Sequence, residues 1–413
     1  MTDVAIPPFR LRAEMNGIDE APGKTWFFEL AATVIDADRC VRCGACIAAC
    51  PTDSLGVSAA DLPYLVKMCT GCSLCWDFCP RGGLRYEATW HKAETAPPRG
   101  ERITGVAGAG DLGAVRERHA VRVRAGSRLA AARAQDGGFV SAVLIAALES
   151  GTIDGALVAR EDPATPWRAV PFLATSADEL RAAAGSFYNQ TLALAALDLE
   201  RVGLGADARI ALVGTPCEIQ GIRALQRSAW RRGSSRVDAV TLTIALLCSK
   251  SFDYERLMLQ SLAADRNIDL HDVAKVDVVH GRLVVQNRDG ATVLDEPVKG
   301  FHGAALKGCD ECADFLGRAA DLSVGSVGSA QGWSSVLVRT AAGAEAFARI
   351  AAEVEMGEIE RPEALEKLDA LDARVAAASL QRPFDPDGAL FVSLDEHLAF
   401  YEGSERAPVW QCR

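Results

Sequence analysis

The apolar and polar positions beyond residue 112 alternate between helical and strand-like periods. Four runs carry this pattern: "FVSAVLIAALESG" (139–151) as a helix, "DGALVAR" (154–160) as a strand, "SADELRAAAG" (176–185) as a helix and "ARIALVG" (208–214) as a buried strand. Helices and strands in alternation are typical of α/β architecture, because each element buries its apolar face against a neighbour.

The stretch "AKVDVVHGRLVVQNRDGATVLDEPV" (274–298) departs from that alternation. Its three alternating segments are separated by His-Gly and Asp-Gly turns, which predict an antiparallel meander. Two further strands are predicted at 320–325 and 334–340, and residues 342–380 are predicted to be rich in helix. We therefore predict an α+β fold with a mixed α/β core, not a purely parallel sheet.

The ends of the chain and one internal stretch differ in composition from this core. The N-terminal segment holds the aromatic cluster "TWFFEL" without clear periodicity and predicts an irregular arm, whereas a stretch rich in Pro, Gly and charge predicts a linker. The predicted parts are an arm (1–33), a cysteine-rich domain (34–90), a linker (91–111), the core (112–380) and a tail (381–413).

Composition narrows the class of protein. With 49% apolar and 24% charged residues, the chain is typical of folded globular proteins. The longest apolar run, "AVTLTIALLC" (239–248), is far shorter than the roughly 18 residues of a membrane span, and residues 1–12 lack a signal-peptide core, so a cytoplasmic location is predicted. The net charge of −11 argues against a nucleic-acid partner.

The 13 cysteines point to metal. Disulfides are rare in a reducing compartment, where thiolates commonly bind metals. Two arrays, "CVRCGACIAACP" (40–51) and "CTGCSLCWDFCP" (69–80), share the spacing C-x2-C-x2-C-x3-C-P. In this spacing three thiolates bind one 4Fe–4S cluster and the fourth binds a second cluster.

The repeat therefore predicts a crossed arrangement of ligands. The predicted sets are Cys40, Cys43, Cys46 and Cys79 for one cluster, and Cys69, Cys72, Cys75 and Cys50 for the other. Structural zinc sites pair two short cysteine knuckles, so this spacing disfavours zinc. This part of the chain resembles bacterial two-cluster ferredoxins, which identifies an electron relay but no reaction.

Four of the remaining cysteines lie at strand ends or in a knuckle. Cys217 follows the buried strand 208–214, Cys248 ends a second apolar strand, and Cys309 with Cys312 form a C-x2-C pair. Strand ends meet where α/β sites are usually built. From spacing alone a third 4Fe–4S cluster, a structural zinc ion and ordinary buried cysteines all remain open. Cys412 is interpreted as incidental.

Several segments, in order, resemble a known family. They are "LAAARAQDGGFVSAVLIAALESGTIDGALVARED", "ELRAAAGSFYNQ", "GTPCEIQGIRALQ", "LLCSKSF", "GCDECADF" and "DLSVGSVGSAQGWSSVLVRT". Together they look like the family of β-subunits of coenzyme F420-reducing hydrogenase and F420-dependent dehydrogenases, over about 112–350. Members that carry an N-terminal two-cluster ferredoxin also exist. The resemblance implies a third 4Fe–4S cluster on Cys217, Cys248, Cys309 and Cys312.

The resemblance also implies bound FAD and a hydride carrier, either F420 or NAD(P)H. The implied flavin and substrate walls are Gln135, Asp136, Gly137, Gly138, Gly185, Ser186, Phe187, Tyr188, Gly325, Ser326, Val327, Gly328 and Trp333. The paired glycines before helix 139–151 suit a helix N-terminus that faces a phosphate or ring, although a plain helix-entry turn explains them too. His302 is a candidate near the flavin; its alternative is a structural or exposed histidine.

The motif "GAGDLG" (108–113) matches a dinucleotide fingerprint, but no convincing strand precedes it, so we do not assign it. Hydride carriers exchange electron pairs whereas a 4Fe–4S cluster passes one electron, and FAD joins the two. The predicted function is an oxidoreductase subunit that passes electrons to or from a partner subunit or ferredoxin. The alternatives are a flavin-free electron-relay scaffold and a zinc-stabilised interaction protein.

Overall fold

The computed structural model describes residues 26–72, 74–82, 112, 114–227 and 233–380. Its strands are β1 Leu55–Val57, β2 Pro63–Leu65, β3 Glu117–Val123, β4 Gly155–Asp162, β5 Thr165–Ala174, β6 Ile210–Gly214, β7 Val240–Leu246, β8 Val273–Val279, β9 Arg282–Asn287, β10 Thr292–Pro297, β11 Leu322–Gly325, β12 Ser334–Val338 and β13 Val354–Gly357. Its helices are α1 Phe27–Leu30, α2 Ala45–Ala49, α3 Leu74–Asp77, α4 Phe139–Glu149, α5 Ala177–Ala182, α6 Pro216–Arg227, α7 Glu255–Ala264, α8 Ala341–Ala348 and α9 Pro362–Leu380. Helix α7 has wide, π-type winding, and α1 continues with the same winding through Ala31–Ile35.

An eight-stranded sheet in the order β13-β3-β12-β11-β7-β6-β4-β5 organises the core. Strands β11, β7, β6 and β4 are parallel to one another. Because β12 is antiparallel to both β11 and β3, strand β3 runs in the same direction as β11. The carboxyl ends of β3, β4, β6, β7 and β11 therefore meet at one edge, where ligand sites of α/β sheets are usually built.

Both faces of this sheet are buried, which explains the continuous apolar runs of its central strands. Successive residues point to opposite faces, so Ala211 packs on the face covered by α4 and α8 whereas Leu212 packs on the face covered by α6. The second face is shared with the cysteine-rich part of the chain, because Val41, Ala45 and Phe78 lie in the same apolar cluster as Leu212.

The predicted meander is confirmed as β8, β9 and β10, an antiparallel sheet of three strands. His280 and Gly281 both have positive φ (50° and 76°), as a tight turn between twisted strands requires. With α7 the meander encloses its own apolar core, to which Trp167 also belongs. We call residues 255–297 the meander unit.

Residues 26–82 form the N-terminal unit, and here one prediction was wrong. The arm (1–33) was predicted to be irregular; residues 1–25 lie outside the described part of the chain, but residues 27–35 are helical. Phe27, Leu30 and Val34 lie on one face of this helix and are 5%, 1% and 2% exposed, packed against Cys46 and its neighbours. The apolar spacing of three and four residues was hidden by the adjoining aromatic side chains.

The unit is joined to the core through backbone contacts. The amide of Leu192 donates to the carbonyl of Arg42 (2.8 Å), and the amide of Leu194 donates to the carbonyl of Cys43 (3.2 Å). Gly44 adopts φ 82°, and a β-carbon there would lie 2.6 Å from the Ala195 nitrogen. The two parts of the chain therefore approach at backbone distance.

The mixed α+β fold is confirmed, with differences at the sheet edges. Strands β3 and β5 were not predicted, and the helix-rich region 342–380 contains strand β13 between α8 and α9. Val354 of β13 is 1% exposed because pairing with β3 places it over α4. Among the described residues, no helix combines the length and apolarity that a membrane span needs. The linker 91–111, the tail 381–413 with Cys412, and all of "GAGDLG" except Leu112 lie outside the described residues.

Candidate functional site

The first group of thiols is the one predicted from the crossed spacing, and we call it group 1: Cys40, Cys43, Cys46 and Cys79. The four side chains lie within electrostatic range of one another. Helix α2 begins immediately after Gly44 and carries Cys46. The amides of Arg42 and Arg81 donate to the sulfurs of Cys40 and Cys79, each at 3.4 Å.

Group 2 consists of Cys50, Cys69, Cys72 and Cys75, which line one cavity. Its walls include Phe27 of α1, so the N-terminal helix closes this site. The amide of Ser54 donates to the Cys50 sulfur (3.2 Å), and that of Gly71 to the Cys69 sulfur (3.3 Å). Cys46 of group 1 interacts with Cys75 of group 2, so the two groups adjoin.

Group 3 consists of the four dispersed cysteines, Cys217, Cys248, Cys309 and Cys312. Cys217 follows β6 in the first turn of α6, Cys248 follows β7, and the last two belong to the turn around Lys307–Glu311. The carboxyl edge of the sheet brings all four within electrostatic range. Cys217 also interacts with Cys43, so group 1 lies between groups 2 and 3.

The surroundings of these sulfurs suit thiolates bound to iron. Burial raises the pKa of Cys40 to about 12 and that of Cys309 to about 11, so deprotonation there needs a nearby cation such as a metal. The Ser251 amide donates to the Cys309 sulfur (3.4 Å), and the Thr215 hydroxyl lies 3.1 Å from the Cys217 sulfur. Hydrogen bonds to cluster sulfurs are a known determinant of reduction potential.

A single zinc ion and a 4Fe–4S cluster require different spacings of their four thiolates. Four sulfurs around one zinc ion lie about 3.8 Å apart, given Zn–S bonds of about 2.3 Å. Within the described residues, no three Cys, His, Asp or Glu side chains close on a single point in that way. Thiolates of a 4Fe–4S cluster bind four separate iron corners, so they lie farther apart than the ligands of one zinc ion do.

The loop from Gln135 to Gly138 lies at the same edge of the sheet. A β-carbon on Gly137 would lie 2.2 Å from the Val121 carbonyl and 2.7 Å from the Ser334 nitrogen, so only glycine fits. Gly138 caps α4 with φ 73°. The amide of Gly332 donates to Asp136 and brings the neighbouring Trp333 to this loop.

The meander unit adds polar groups that sequence reasoning missed. Lys275 of β8 donates to the Gln135 carbonyl (3.1 Å) and pairs with Asp277 (3.2 Å). The Tyr188 hydroxyl accepts from the Val278 amide (3.0 Å) and lies 3.4 Å from an Asp277 oxygen. Lys275 and Asp277 are two residues apart on β8 and lie on the same face of the strand. Their partners Gln135 and Tyr188 are about 140 and 90 residues away in sequence, so no local pattern indicated these contacts.

Burial also changes the ionisation of this loop. It raises the pKa of Asp136, and the charge of Asp277 adds to that effect. Burial likewise raises the pKa of Tyr188, so this phenol stays neutral. Of the other residues predicted for the segment, Phe187 stacks near Trp167 with ring centroids 6.0 Å apart, and Gly185 has φ 130°. Ser186, next to them, is half-buried.

Segment 185–190 leads directly to group 3. Gln190 is 4% exposed, and its amide donates to the Thr215 hydroxyl (2.8 Å), which contacts Cys217. The side-chain oxygen Oε1 of Gln190 accepts from the Ser251 hydroxyl (2.9 Å), and the Ser251 amide donates to the Cys309 sulfur. Only Asn189 separates Tyr188 from this network in the chain, so the candidate flavin wall and group 3 are contiguous.

The glycine-rich loop after β11 lies beside the segment that carries Cys248. A β-carbon on Gly325 would meet Leu247, the residue before Cys248, at 2.7 Å. Gly328 has φ 90° and lies close to the Arg361 carbonyl, Val327 packs in a neighbouring apolar cluster, and Ser326 is exposed. Trp333 carries the Arg122 guanidinium over its ring at 4.8 Å.

His302 is exposed, and its charged neighbours are Lys250 and Asp310 at the rim of group 3. Burial and then Lys250 lower its pKa. The structure therefore places His302 beside the third thiol group, and its role near the flavin stays a prediction.

Three adjoining thiol groups, the third of them at the carboxyl edge of the sheet, indicate the class of iron–sulfur electron-transfer proteins. Models of the coenzyme F420 hydrogenase/dehydrogenase beta subunit match at 120–198 for the N-terminal part and 207–362 for the C-terminal part, and a 4Fe–4S dicluster domain matches at 33–85. The chain belongs to the family of coenzyme F420 hydrogenase/dehydrogenase beta subunits, as the sequence resemblance predicted.

Relatives agree with this assignment. A subunit of the F420H2 dehydrogenase of Methanosarcina mazei is 29% identical over 80% of this chain and 88% of the relative. The beta subunit of coenzyme F420 hydrogenase of Methanothermobacter thermautotrophicus is 35% identical over 51% of this chain and 73% of the relative. A chain of the F420-reducing NiFe hydrogenase complex from Methanosarcina barkeri superposes with a TM-score of 0.60 at 29% identity, and covers 67% of this chain and 94% of that one.

Proposed function

We propose that this protein is an iron–sulfur flavoprotein subunit that exchanges hydride between F420 and FAD. It passes single electrons through three 4Fe–4S clusters to or from a partner oxidoreductase subunit or ferredoxin. The observation that carries the proposal is the contiguity of the candidate flavin wall, group 3, group 1 and group 2, in that order.

The chain's own residues support a bound FAD beside the Gln135 loop and the adjoining strand of the meander unit. Gly138 caps α4 without a side chain, and the first amides of a helix have no intrahelical acceptor, so they suit an anionic or electron-rich group. Lys275 adds a cation beside them, and Tyr188 and Trp333 add aromatic faces. When bound, FAD supplies the junction between a two-electron hydride carrier and one-electron clusters.

The order of the thiol groups defines the two ends of the proposed electron-transfer path through the protein. Gln190 and Ser251 fix the wall segment to Cys217 and Cys309, so the inner end of the path lies at group 3. Group 2 lies at the opposite end, beyond group 1, and its cavity is bordered by the half-exposed Tyr64 strand. We therefore propose that the partner meets the N-terminal unit and the hydride carrier meets the core.

F420 is proposed as the carrier because this chain is similar in sequence to relatives named for F420H2 dehydrogenase and for coenzyme F420 hydrogenase. NAD(P)H remains the second candidate carrier. The hydrogenase complex that contains the structural relative also supports the proposal that this chain works with a partner subunit.

Anaerobic titration of the purified protein tests the proposal. We expect about twelve irons and one FAD per chain, and bleaching of the flavin absorbance by F420H2 with little response to NADH or NADPH. Irons without flavin would support the relay scaffold, and a colourless zinc-containing protein would support the interaction module. If no hydride donor bleaches a bound flavin, the proposed reaction is wrong.

A further inference from the structure

Two buried arginines lie between groups 1 and 3, where the N-terminal unit meets the core. Arg81, two residues beyond Cys79, is 2% exposed, and its guanidinium donates to the Gly308 carbonyl (2.5 Å) and the Pro80 carbonyl (2.7 Å). Gly308 directly precedes Cys309, so one side chain joins the group 1 segment to the group 3 turn.

The charge of Arg81 faces thiols of both groups. It lies within electrostatic range of Cys312, Cys217 and Cys309 of group 3, and of Cys40 and Cys79 of group 1. An arginine stays protonated even when buried, so this positive charge is permanent. In a protein interior such a charge acts more strongly on its neighbours than it does in water.

A second arginine holds the first in place. Arg39 is 6% exposed and forms a two-pronged ion pair with Glu311 (2.5 and 2.7 Å). It also donates to the Arg81 carbonyl (2.8 Å). Glu311 balances one of the two guanidinium charges, so these three side chains leave one net positive charge between the thiol groups.

We propose that Arg81 is a positioning residue that raises the reduction potentials of the clusters held by groups 1 and 3 and fixes the two groups against each other. This rests on the proposed function. Reduction adds negative charge to a buried cluster, and a permanent cation nearby stabilises the reduced form. The hydrogen bond to the Gly308 carbonyl sets the distance between the group 3 turn and Cys79.

The test is an anaerobic potentiometric EPR titration of the full chain with measured iron content. Arg81→Gln removes the charge, so we expect the equilibrium constant for reduction of the group 1 and group 3 clusters to fall tenfold or more. A tenfold fall corresponds to a reduction potential lower by 59 mV for a one-electron couple. Arg81→Lys keeps the charge without the same hydrogen bonds, so we expect its equilibrium constant for reduction to stay within twofold of the wild-type value. Arg266→Gln, which removes a cation paired with Glu296 in the meander unit, should leave all potentials unchanged.

A purely structural arginine predicts a different pattern. If Arg81→Gln assembles its clusters with wild-type potentials, or if the lysine variant shifts as far as the glutamine variant, the proposal is overturned. If the glutamine variant does not assemble clusters, the lysine variant decides: wild-type potentials support the proposal and a tenfold fall refutes it. A wild-type protein without cluster signals would instead refute the proposed function itself.

Discussion

The junction between the N-terminal unit and the core depends on the absence of a side chain at Gly308. A β-carbon there would lie 2.0 Å from the Arg39 carbonyl oxygen and 2.9 Å from Val41 Cγ1. The first contact is with backbone, which cannot rotate away, so Arg39 would have to recede by about 1 Å to restore even a 3.0 Å separation. Overpacking of this kind costs about 1–3 kcal/mol.

We therefore expect Gly308→Ala to lower the melting temperature of the anaerobic holoprotein by about 2–12 °C, from roughly 2–4 °C per kcal/mol for a medium-sized domain. Gly303→Ala is the matched control, because a β-carbon at this nearby glycine meets no atom within 4 Å. Scans should share one heating rate, since iron–sulfur proteins often unfold irreversibly. The displaced turn should also slow reduction of the clusters in the N-terminal unit by F420H2.

Equal melting temperatures for the Gly308→Ala and Gly303→Ala proteins would refute this reasoning. Such a result would mean that the backbone at the junction moves apart without loss of stability. The contact between Gly308 and Arg39 would then not hold group 3 against group 1. A lower melting temperature without slower cluster reduction would confirm the tight packing at Gly308. It would contradict the prediction that this packing affects electron transfer.

Three further predictions concern the cofactors and pH. Cys312→Ser should lose about four of about twelve irons and keep the EPR signals of the N-terminal unit; loss of all iron would contradict separate clusters. Gly137→Ala should lose bound flavin because its β-carbon would lie 2.2 Å from the Val121 carbonyl. Gly205→Ala is the control and should keep the flavin, because a β-carbon there meets no atom within 4 Å. Flavin absorbance measures both, and full retention of flavin in Gly137→Ala would refute the assignment. Asp136→Asn should have a higher melting temperature than the wild type at neutral pH. Burial raises the folded-state pKa of the Asp136 carboxyl, so the stability that this group contributes in acid is lost as pH rises through that pKa. A difference in melting temperature that does not change with pH would contradict this prediction.

The sequence determined the features that depend on short spacing. Two C-x2-C-x2-C-x3-C-P arrays predict which thiols share a group, because in this spacing three thiolates of one array and the fourth of the other bind the same cluster. His280-Gly281 and Asp289-Gly290 fixed the turns of the meander, since tight turns need residues that tolerate positive φ. The central parallel strands were visible as apolar runs because both of their faces are buried.

The tertiary structure decided what depends on distant partners. Strand β13 interrupts a helix-rich stretch because the exposed edge of β3 is there to pair with it, and local preference yields to that pairing. Lys275 reaches the Gln135 loop, and Arg81 reaches Gly308, across about 140 and 227 residues of sequence. No local pattern encodes such contacts, because they form only when packing of the whole sheet brings the segments to one edge.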